Sequence, residues 1–146
     1  MDDELPAAYW DSSALIPLCV PRPQSTRAIL LYERYNIVAW WATQVEIMSG
    51  LTRLERMGQI THDRFLIGKQ FAQDLVRGWI SAGSSTGTAV LACSLLEMYP
   101  LRAGDALQLA VALEVFEHST QGCPFITADD RLADAARRSG FSVEFI

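Results

Sequence analysis

The sequence predicts an α/β fold in which helices flank a mainly parallel central sheet of four to five short strands. Short apolar segments alternate along the chain with longer amphipathic segments, which is the pattern of strand–helix–strand units. Half of the residues are apolar and 20% are charged, so a sizeable buried core is expected and disorder is not. The 146 residues match the size of one domain, and we expect a single domain over residues 1–146.

The first quarter of the chain predicts a strand, a short helical turn and a helix. Residues 7–10 are apolar and lead directly to Asp11, so we expect a strand that ends there. Residues 14–18 begin a helical turn, which two prolines at 21 and 23 interrupt. A helix is expected over residues 24–35, because its apolar residues recur at helical spacing.

The next part of the chain predicts a strand followed by a helical hairpin. Residues 37–41 are bulky and apolar, which favours a second strand. Helices are expected over residues 43–57, where Gly58 supplies the stop, and from Thr61 to about Gly78. Residues 79–81 are compatible with a short strand or a loop.

The last part of the chain predicts three helices and two strands. We expect helices over residues 88–98 and 104–116, and the second is the most apolar of the chain. Residues 124–127 predict a strand, and residues 131–138 a short amphipathic helix. Residues 141–146 alternate in polarity and predict the final strand.

Four acidic residues stand where a predicted strand or loop gives way to a helix: Asp11, Glu46, Asp105 and Asp129. In a parallel α/β sheet the carboxyl ends of the strands gather on one edge, where ligands bind. Carboxylates collected there repel one another unless a cation lies among them, and oxygen ligands suit hard divalent ions such as Mg²⁺. This arrangement is typical of phosphodiester cleavage.

Each of these acids also has a structural explanation. Asp and Glu stabilise the N-terminal turn of a helix, and the segment from Thr43 to Glu46 has the pattern of a capping box. The apolar neighbours of Asp11 and Asp105 favour the metal interpretation, because an isolated carboxylate is costly in apolar surroundings. Hydroxyl residues next to the acids are suited to orient carboxylate oxygens or waters: Ser12, Ser13, Thr43 and Thr127.

The charge balance gives no whole-molecule reason to bind nucleic acid. The net charge is −5 and the estimated isoelectric point is about 4.9. The cations are eleven arginines and one lysine, so an anion-binding surface requires that some arginines cluster.

The remaining composition favours a reduced, intracellular protein. The three cysteines include no CxxC pair or zinc spacing, and buried thiols are expected. The opening residues Met1–Asp3 are not those of a signal peptide, and no apolar stretch has the length of a membrane span. A soluble protein in the cytoplasm, with no membrane partner, is therefore expected.

Four segments resemble the motifs of PIN-domain ribonucleases, in the order that this family has them. Residues 10–15 (WDSSAL) are similar to its opening motif, and Glu46 is similar to its second acid. Residues 101–110 (LRAGDALQLA) closely resemble the third motif and are the most specific match. Residues 125–132 (FITADDRL) resemble the fourth. The length and motif spacing resemble the VapC-like toxins of type II toxin–antitoxin pairs.

This resemblance implies a three-layer PIN-like fold and a metal-dependent endoribonuclease. Asp11 and Asp105 would be the main ligands of Mg²⁺, or of Mn²⁺ in its place, and Glu46 and Asp129 would complete the catalytic pocket. Asp130 competes with Asp129 for the fourth position. The implied partners are an RNA substrate, expected to be single-stranded, a cognate antitoxin protein and a second copy in a homodimer.

Two alternative functions stay open at this point. A PIN-fold module that binds without cutting would keep the fold, although all four acids are present. A Mg²⁺-binding phosphoacceptor signalling domain needs a lysine beside the acids, whereas Lys69 is expected in the middle of a helix. His62 and His118 are expected to be exposed and without a catalytic role. Apolar residues of the predicted hairpin are candidates for a dimer face or an antitoxin groove: Ile47, Leu51, Leu54, Phe65 and Phe71.

Overall fold

The computed structural model describes residues 4–146 and shows a five-stranded sheet in which every strand pairing is parallel. The acidic opening residues Met1–Asp3 lie outside the described part. The strand order is β3-β2-β1-β4-β5. The strands are β1 (Ala7–Trp10), β2 (Asn36–Trp40), β3 (Ile80–Ala82), β4 (Pro124–Thr127) and β5 (Ser142–Phe145).

Helices connect the strands and cover both faces of the sheet. Their bounds are α1 (Ser12–Cys19), α2 (Ser25–Tyr32), α3 (Thr43–Arg56), α4 (His62–Gly78), α5 (Thr86–Met98), α6 (Ala103–Val115) and α7 (Asp130–Arg138). The predicted three-layer α/β fold with a parallel sheet is therefore confirmed, with five strands.

The strand β1 lies in the centre of the sheet, and its register fixes the edge at which the acids gather. Tyr9 pairs with Val38 of β2 on one side and with Phe125 of β4 on the other. Immediately after β1, the Asp11 backbone N–H donates to the Ile126 carbonyl at 3.2 Å. The chain therefore leaves β1 beside the carboxyl end of β4.

Two apolar clusters hold the layers together, one on each face of the sheet. Trp10, Leu15 and Ile47 are fully buried in the cluster beneath α1, α3 and α4. The other cluster packs Tyr9 and Phe125 against α6 and α7, and their rings stack at 5.2 Å between centroids. Because alternate residues of β1 enter opposite clusters, the central strand is buried on both faces.

The structure shifts several of the predicted element boundaries and settles one assignment that the sequence left open. The helix expected over residues 24–35 ends at Tyr32, because the backbone N–H groups of Arg34 and Tyr35 both return to the Leu31 carbonyl and close a tight turn. Residues 80–82 form an edge strand rather than a loop. The helix expected from residue 88 begins two residues earlier, since the Ser85 backbone N–H donates to the Thr88 hydroxyl at 2.9 Å and caps it.

The predicted capping box from Thr43 to Glu46 is wrong. Ala42 is the N-cap of α3, and no side chain caps that end. Thr43 is fully buried, and its hydroxyl accepts a hydrogen bond from the Gln108 side chain at 3.1 Å instead. The hydrogen bond from Gln108 on α6 therefore occupies the Thr43 hydroxyl that the sequence pattern assigned to capping α3.

Two predictions about apolar and sulfur-containing side chains also change. Ile47 and Leu51 are core residues with no exposed surface, so they are not available to a partner. Of the three cysteines only Cys19 is buried, whereas Cys93 is exposed. Within residues 4–146, every helix is too short or too polar to cross a bilayer.

Candidate active site

The four predicted acids all lie at the end of the fold where the strands finish. Asp11 follows β1, Glu46 lies in the first turn of α3 after β2, and Asp129 is the N-cap of α7 after β4. Asp105 lies in the first turn of α6, which packs against β2. The negative charges of Asp11, Glu46 and Asp129 each interact with that of Asp105, so Asp105 is the centre of the group.

The Asp11 carboxylate is the most deeply placed of the four, with 3% of the residue exposed. Burial, and to a smaller extent the charge of Asp105, raises its pKa to about 7 against the lowering effect of the hydrogen bonds from Ser13 and Thr127. In the described part of the chain no Arg, Lys or His side chain lies within ion-pair distance of it. A buried carboxylate with no cation is costly, and binding one would offset that cost.

A hydroxyl pair fixes the orientation of this carboxylate. The Ser13 hydroxyl lies 2.8 Å from Asp11 Oδ1 and 3.0 Å from Oδ2, and it accepts the Ala128 backbone N–H at 2.9 Å. The Thr127 hydroxyl lies 3.3 Å from the Ser13 hydroxyl and accepts the Asp129 backbone N–H at 3.0 Å. The two hydroxyls therefore connect the acid after β1 to the acid after β4.

A second buried network holds Glu46. The Gln108 amide nitrogen donates to Glu46 Oε1 and to the Thr43 hydroxyl, and the Gln108 amide oxygen accepts the Tyr9 hydroxyl. Gln108 is 1% exposed, so these partners satisfy its amide inside the protein. Burial raises the pKa of Glu46, the bond from Gln108 lowers it, and the charge of Asp105 raises it.

Asp105 is half-buried, and the charge of Arg102 acts on it. Burial raises its pKa, and so does the charge of Asp129, whereas the Arg102 backbone and guanidinium lower it. Arg102 is thus close enough to Asp105 to influence its charge.

The structure distinguishes the two candidates for the fourth acid. Asp129 is half-buried, caps α7 by accepting the Leu132 backbone N–H at 2.8 Å, and interacts with Asp105. Asp130 is exposed on the first turn of α7. The two aspartates line one cleft of about 320 Å³ with Arg102 and Arg131. Of the two, Asp129 is the acid whose charge acts on Asp105.

The donor set fits a hard divalent ion that keeps part of its water shell. All the candidate ligand atoms are carboxylate oxygens, and those of the buried Asp11 have hydroxyl partners but no cation. Within residues 4–146, no three Asp, Glu, His or Cys side chains lie close enough to share one ion position. Mg²⁺ is commonly held by one or two carboxylates together with water and a substrate phosphate, and this arrangement suits that mode.

Sequence reasoning missed Gln108 and Tyr9 as members of the site. The available signal was that Gln108 is the only polar residue between Ala106 and Leu113 in a helix expected to be buried. A buried amide needs partners, and that requirement could have pointed to a polar network on this face.

The other side chains considered from the sequence lie away from the acids. His62 is exposed and lies 2.6 Å from a Glu55 carboxylate oxygen, and His118 is exposed after α6. Lys69 is on α4, so it does not stand beside the acids as a phosphoacceptor domain requires.

Comparison with known proteins shows a shared fold without close sequence relatives. No family model and no curated protein matches this sequence. A solved toxin–antitoxin complex from Klebsiella pneumoniae superposes with a TM-score of 0.62 at 19% identity, covering 87% of this chain and 91% of that one. The protein PAE2754 from Pyrobaculum aerophilum gives 0.62 at 16% identity over 89% and 79%. FitAcB from Neisseria gonorrhoeae gives 0.63 at 14% identity over 95% and 96%.

Proposed function

We propose that this chain is a divalent-metal-dependent endoribonuclease and the toxin of a toxin–antitoxin pair. The observation that carries the proposal is the convergence of three carboxylates on a fourth, that of Asp105, with Asp11 buried and without an ion-pair partner among residues 4–146. The fold is shared with a toxin–antitoxin complex, which supports the biological part of the proposal. The motif resemblance supports the nuclease part.

Each residue has a defined task in this proposal. Asp11 and Asp105 hold Mg²⁺ or Mn²⁺, and Glu46 and Asp129 orient waters and the phosphate beside them. The bound ion supplies Lewis acidity, which lowers the pKa of a water and polarises the scissile phosphodiester. Ser13 keeps both Asp11 oxygens in place, and Gln108 holds one carboxylate oxygen of Glu46, Oε1. The substrate is single-stranded RNA, whose splayed backbone is accessible to a recessed acid pocket.

The antitoxin is proposed to bind the helical hairpin. A groove of about 540 Å³ lies between α3 and α4, and its apolar wall includes Val45, Met48 and Val76. Lys69 and Arg77 line the same groove and suit acidic side chains of a partner helix. The homodimer and the cytoplasmic location stay predictions, the first to be tested by the sedimentation of the isolated chain.

Cleavage of an RNA pool tests the catalytic proposal. With Mg²⁺ or Mn²⁺ the wild type should cut RNA, and a chelator should stop it. Asp11→Asn and Asp105→Asn should each lower the rate at least about a hundredfold, because losing even an indirect metal contact costs 10- to 100-fold. Asp130→Asn is the matched control, since it removes the same charge from the exposed neighbour of Asp129, and it should keep the rate. Equal rates of cleavage by Asp105→Asn and the wild type would contradict the assignment of Asp105 to the catalytic site.

A binding module that does not cut is the alternative function. It is favoured by one observation, namely that no three metal-ligand side chains of residues 4–146 lie within reach of one ion position. Retention of RNA by a wild-type protein that leaves it intact with both ions would support this alternative.

A further inference from the structure

Positive charge is distributed unevenly around the four acids. Arg22 and Arg53 line a groove of about 260 Å³ between α1 and α3, and no acidic residue lines it. The cleft on the α7 side has two arginines and two aspartates, so its charges balance. Ala128 lines both. Among the residues that the structure describes, the first groove is therefore a local cationic surface next to the acids of this acidic chain.

The guanidinium groups in this groove are available to an anion. Arg22 is half-buried and donates to a neutral partner, the Gln59 side-chain oxygen, at 3.2 Å. Arg53 is exposed, and in the described chain neither arginine forms an ion pair. The groove wall also includes Gln24, the N-cap residue of α2, so the positive end of that helix dipole lies beside it.

The groove adjoins the acid group through a single side chain. Ser13 lines the groove, and its hydroxyl contacts both carboxylate oxygens of Asp11 at 2.8 and 3.0 Å. A ligand in the groove is therefore separated from the Asp11 carboxylate only by the Ser13 side chain.

The helix α3 connects the two regions along one face. Glu46, Gly50 and Arg53 follow one another at spacings of four and three residues, so they lie on the same side of the helix. Arg53 stands two turns, or about 10 Å, from Glu46. Gly50 lines the groove between them, and a Cβ there would collide with the Ile16 side chain of α1, so the glycine allows α1 and α3 to approach closely.

We propose that this groove binds the phosphodiester backbone of the RNA strand on one side of the bond to be cut, with Arg22 and Arg53 on its phosphates. This inference rests on the proposed function. The guanidinium fork matches phosphate oxygens, and the apolar groove residues Ile16, Pro17 and Leu54 suit the sugar and base faces. The −5 net charge is then compatible with RNA binding, because the phosphates contact a local cationic surface.

Salt dependence of RNA binding tests the groove directly. An end-labelled fluorescent single-stranded RNA of mixed sequence is titrated with Asp105→Asn protein, which does not cut, at constant Mg²⁺. For single strands the logarithm of the association constant falls with the logarithm of salt concentration by about 0.7 per phosphate contacted. Arg22→Gln and Arg53→Gln in this background should each make the slope shallower by about 0.7 and weaken binding roughly tenfold.

The matched control is Arg64→Gln, which removes an exposed cation on α4 that lines neither groove, and it should leave the slope unchanged. Slopes unaffected by Arg22→Gln and Arg53→Gln, or no RNA binding at all, would overturn the proposal. The proposal would also be overturned if binding of a labelled oligo-glutamate peptide required both arginines while binding of RNA did not. The groove would then bind an acidic protein partner.

The two proposals fail in different ways. If RNA binding requires both arginines but the wild type does not cleave RNA, the catalytic proposal is contradicted and the groove proposal stands. If the wild type cleaves RNA and the KM is unchanged in Arg22→Gln and Arg53→Gln, the groove proposal is contradicted and the catalytic proposal stands.

Discussion

Within the acid group, the surroundings of a single side chain can disfavour its charged form when no metal is bound. Asp11 is 3% exposed, and its hydrogen-bond partners are hydroxyls and not cations. Burial raises its pKa to about 7, so between roughly pH 4 and 7 the folded protein binds a proton that the unfolded chain does not. The stability of the metal-free protein must therefore fall as pH rises through this range.

The first prediction concerns this pH dependence. Without metal, the free energy of unfolding of the wild type should fall between pH 4 and 7 relative to Asp11→Asn, by up to about 4 kcal/mol, and then level off. Urea titrations in chelator across this range measure it. Asp63→Asn, at an exposed position of α4, is the control. A constant difference between wild type and Asp11→Asn would show that the carboxyl is ionised throughout.

Gln108 is the second side chain whose surroundings make a prediction. Its amide joins Tyr9 on the central strand to Glu46 on α3, with all three in or near the core. Replacing it with an apolar side chain of similar size leaves the Tyr9 hydroxyl buried without its acceptor.

Gln108→Met should therefore lower the free energy of unfolding by about 1–3 kcal/mol, the cost of an unsatisfied buried polar group. In a Tyr9→Phe background the same change should cost less, by about 1 kcal/mol, because the orphaned hydroxyl is absent. Denaturant unfolding of the four proteins in this double-mutant cycle gives the coupling energy. Additive effects would mean that the Tyr9–Gln108 bond contributes nothing.

At the scale of elements, close helix contacts set where the site helices lie. Gly68 of α4 packs against the end of α1, and a Cβ there would lie 2.7 Å from Val20 Cγ1 and 3.0 Å from the Cys19 carbonyl oxygen. Gly78, at the end of the same helix, has no atom within 4 Å of a Cβ position. The two glycines are thus a matched pair in one helix.

Gly68→Ala should lower the free energy of unfolding by about 1–3 kcal/mol, because the backbone oxygen of α1 cannot move aside without a helix shift. Gly78→Ala should be neutral or raise it by up to about 1 kcal/mol, since alanine has less unfolded-state freedom. Thermal and urea unfolding of both variants measure the difference. A stabilised Gly68→Ala would contradict the close α1–α4 packing.

The elements also show which features a sequence can predict. Four of the five strands were predictable because each is a short apolar or alternating run next to turn residues, whereas β3 was left open as a strand or a loop. The positions of the four acids were predictable because each follows such a run or opens a helix. The end of α2 was not predictable, because it depends on a turn that returns to Leu31. The cap of α3 was predicted wrongly, since Thr43 finds a partner on α6, 65 residues away in sequence.

At the scale of the whole molecule, the parallel sheet explains why distant acids meet. Asp11 and Asp129 leave neighbouring strands β1 and β4, and α3 brings Glu46 from β2 on the other side of β1. The sequence carried this information as motif order. It did not reveal the groove of Arg22 and Arg53, because their approach to Ser13 depends on how α1 and α3 pack.

Metal binding should stabilise the whole molecule if the acid group is a cation site. An ion that binds only the folded state adds about 2.7 kcal/mol to the free energy of unfolding at a concentration one hundred times its Kd. The same ion removes the cost of an ionised Asp11, so the gain should be larger above pH 7 than below it.

Titration calorimetry with Mg²⁺ and Mn²⁺ above pH 7 tests the central claim, that Asp11 and Asp105 hold a divalent ion within the acid group, most directly. The wild type should take up the ion, Asp105→Asn should lose this uptake because Asp105 interacts with the other three acids, and Asp130→Asn should keep it. No uptake by the wild type, or equal uptake by the wild type and Asp105→Asn, would contradict the claim.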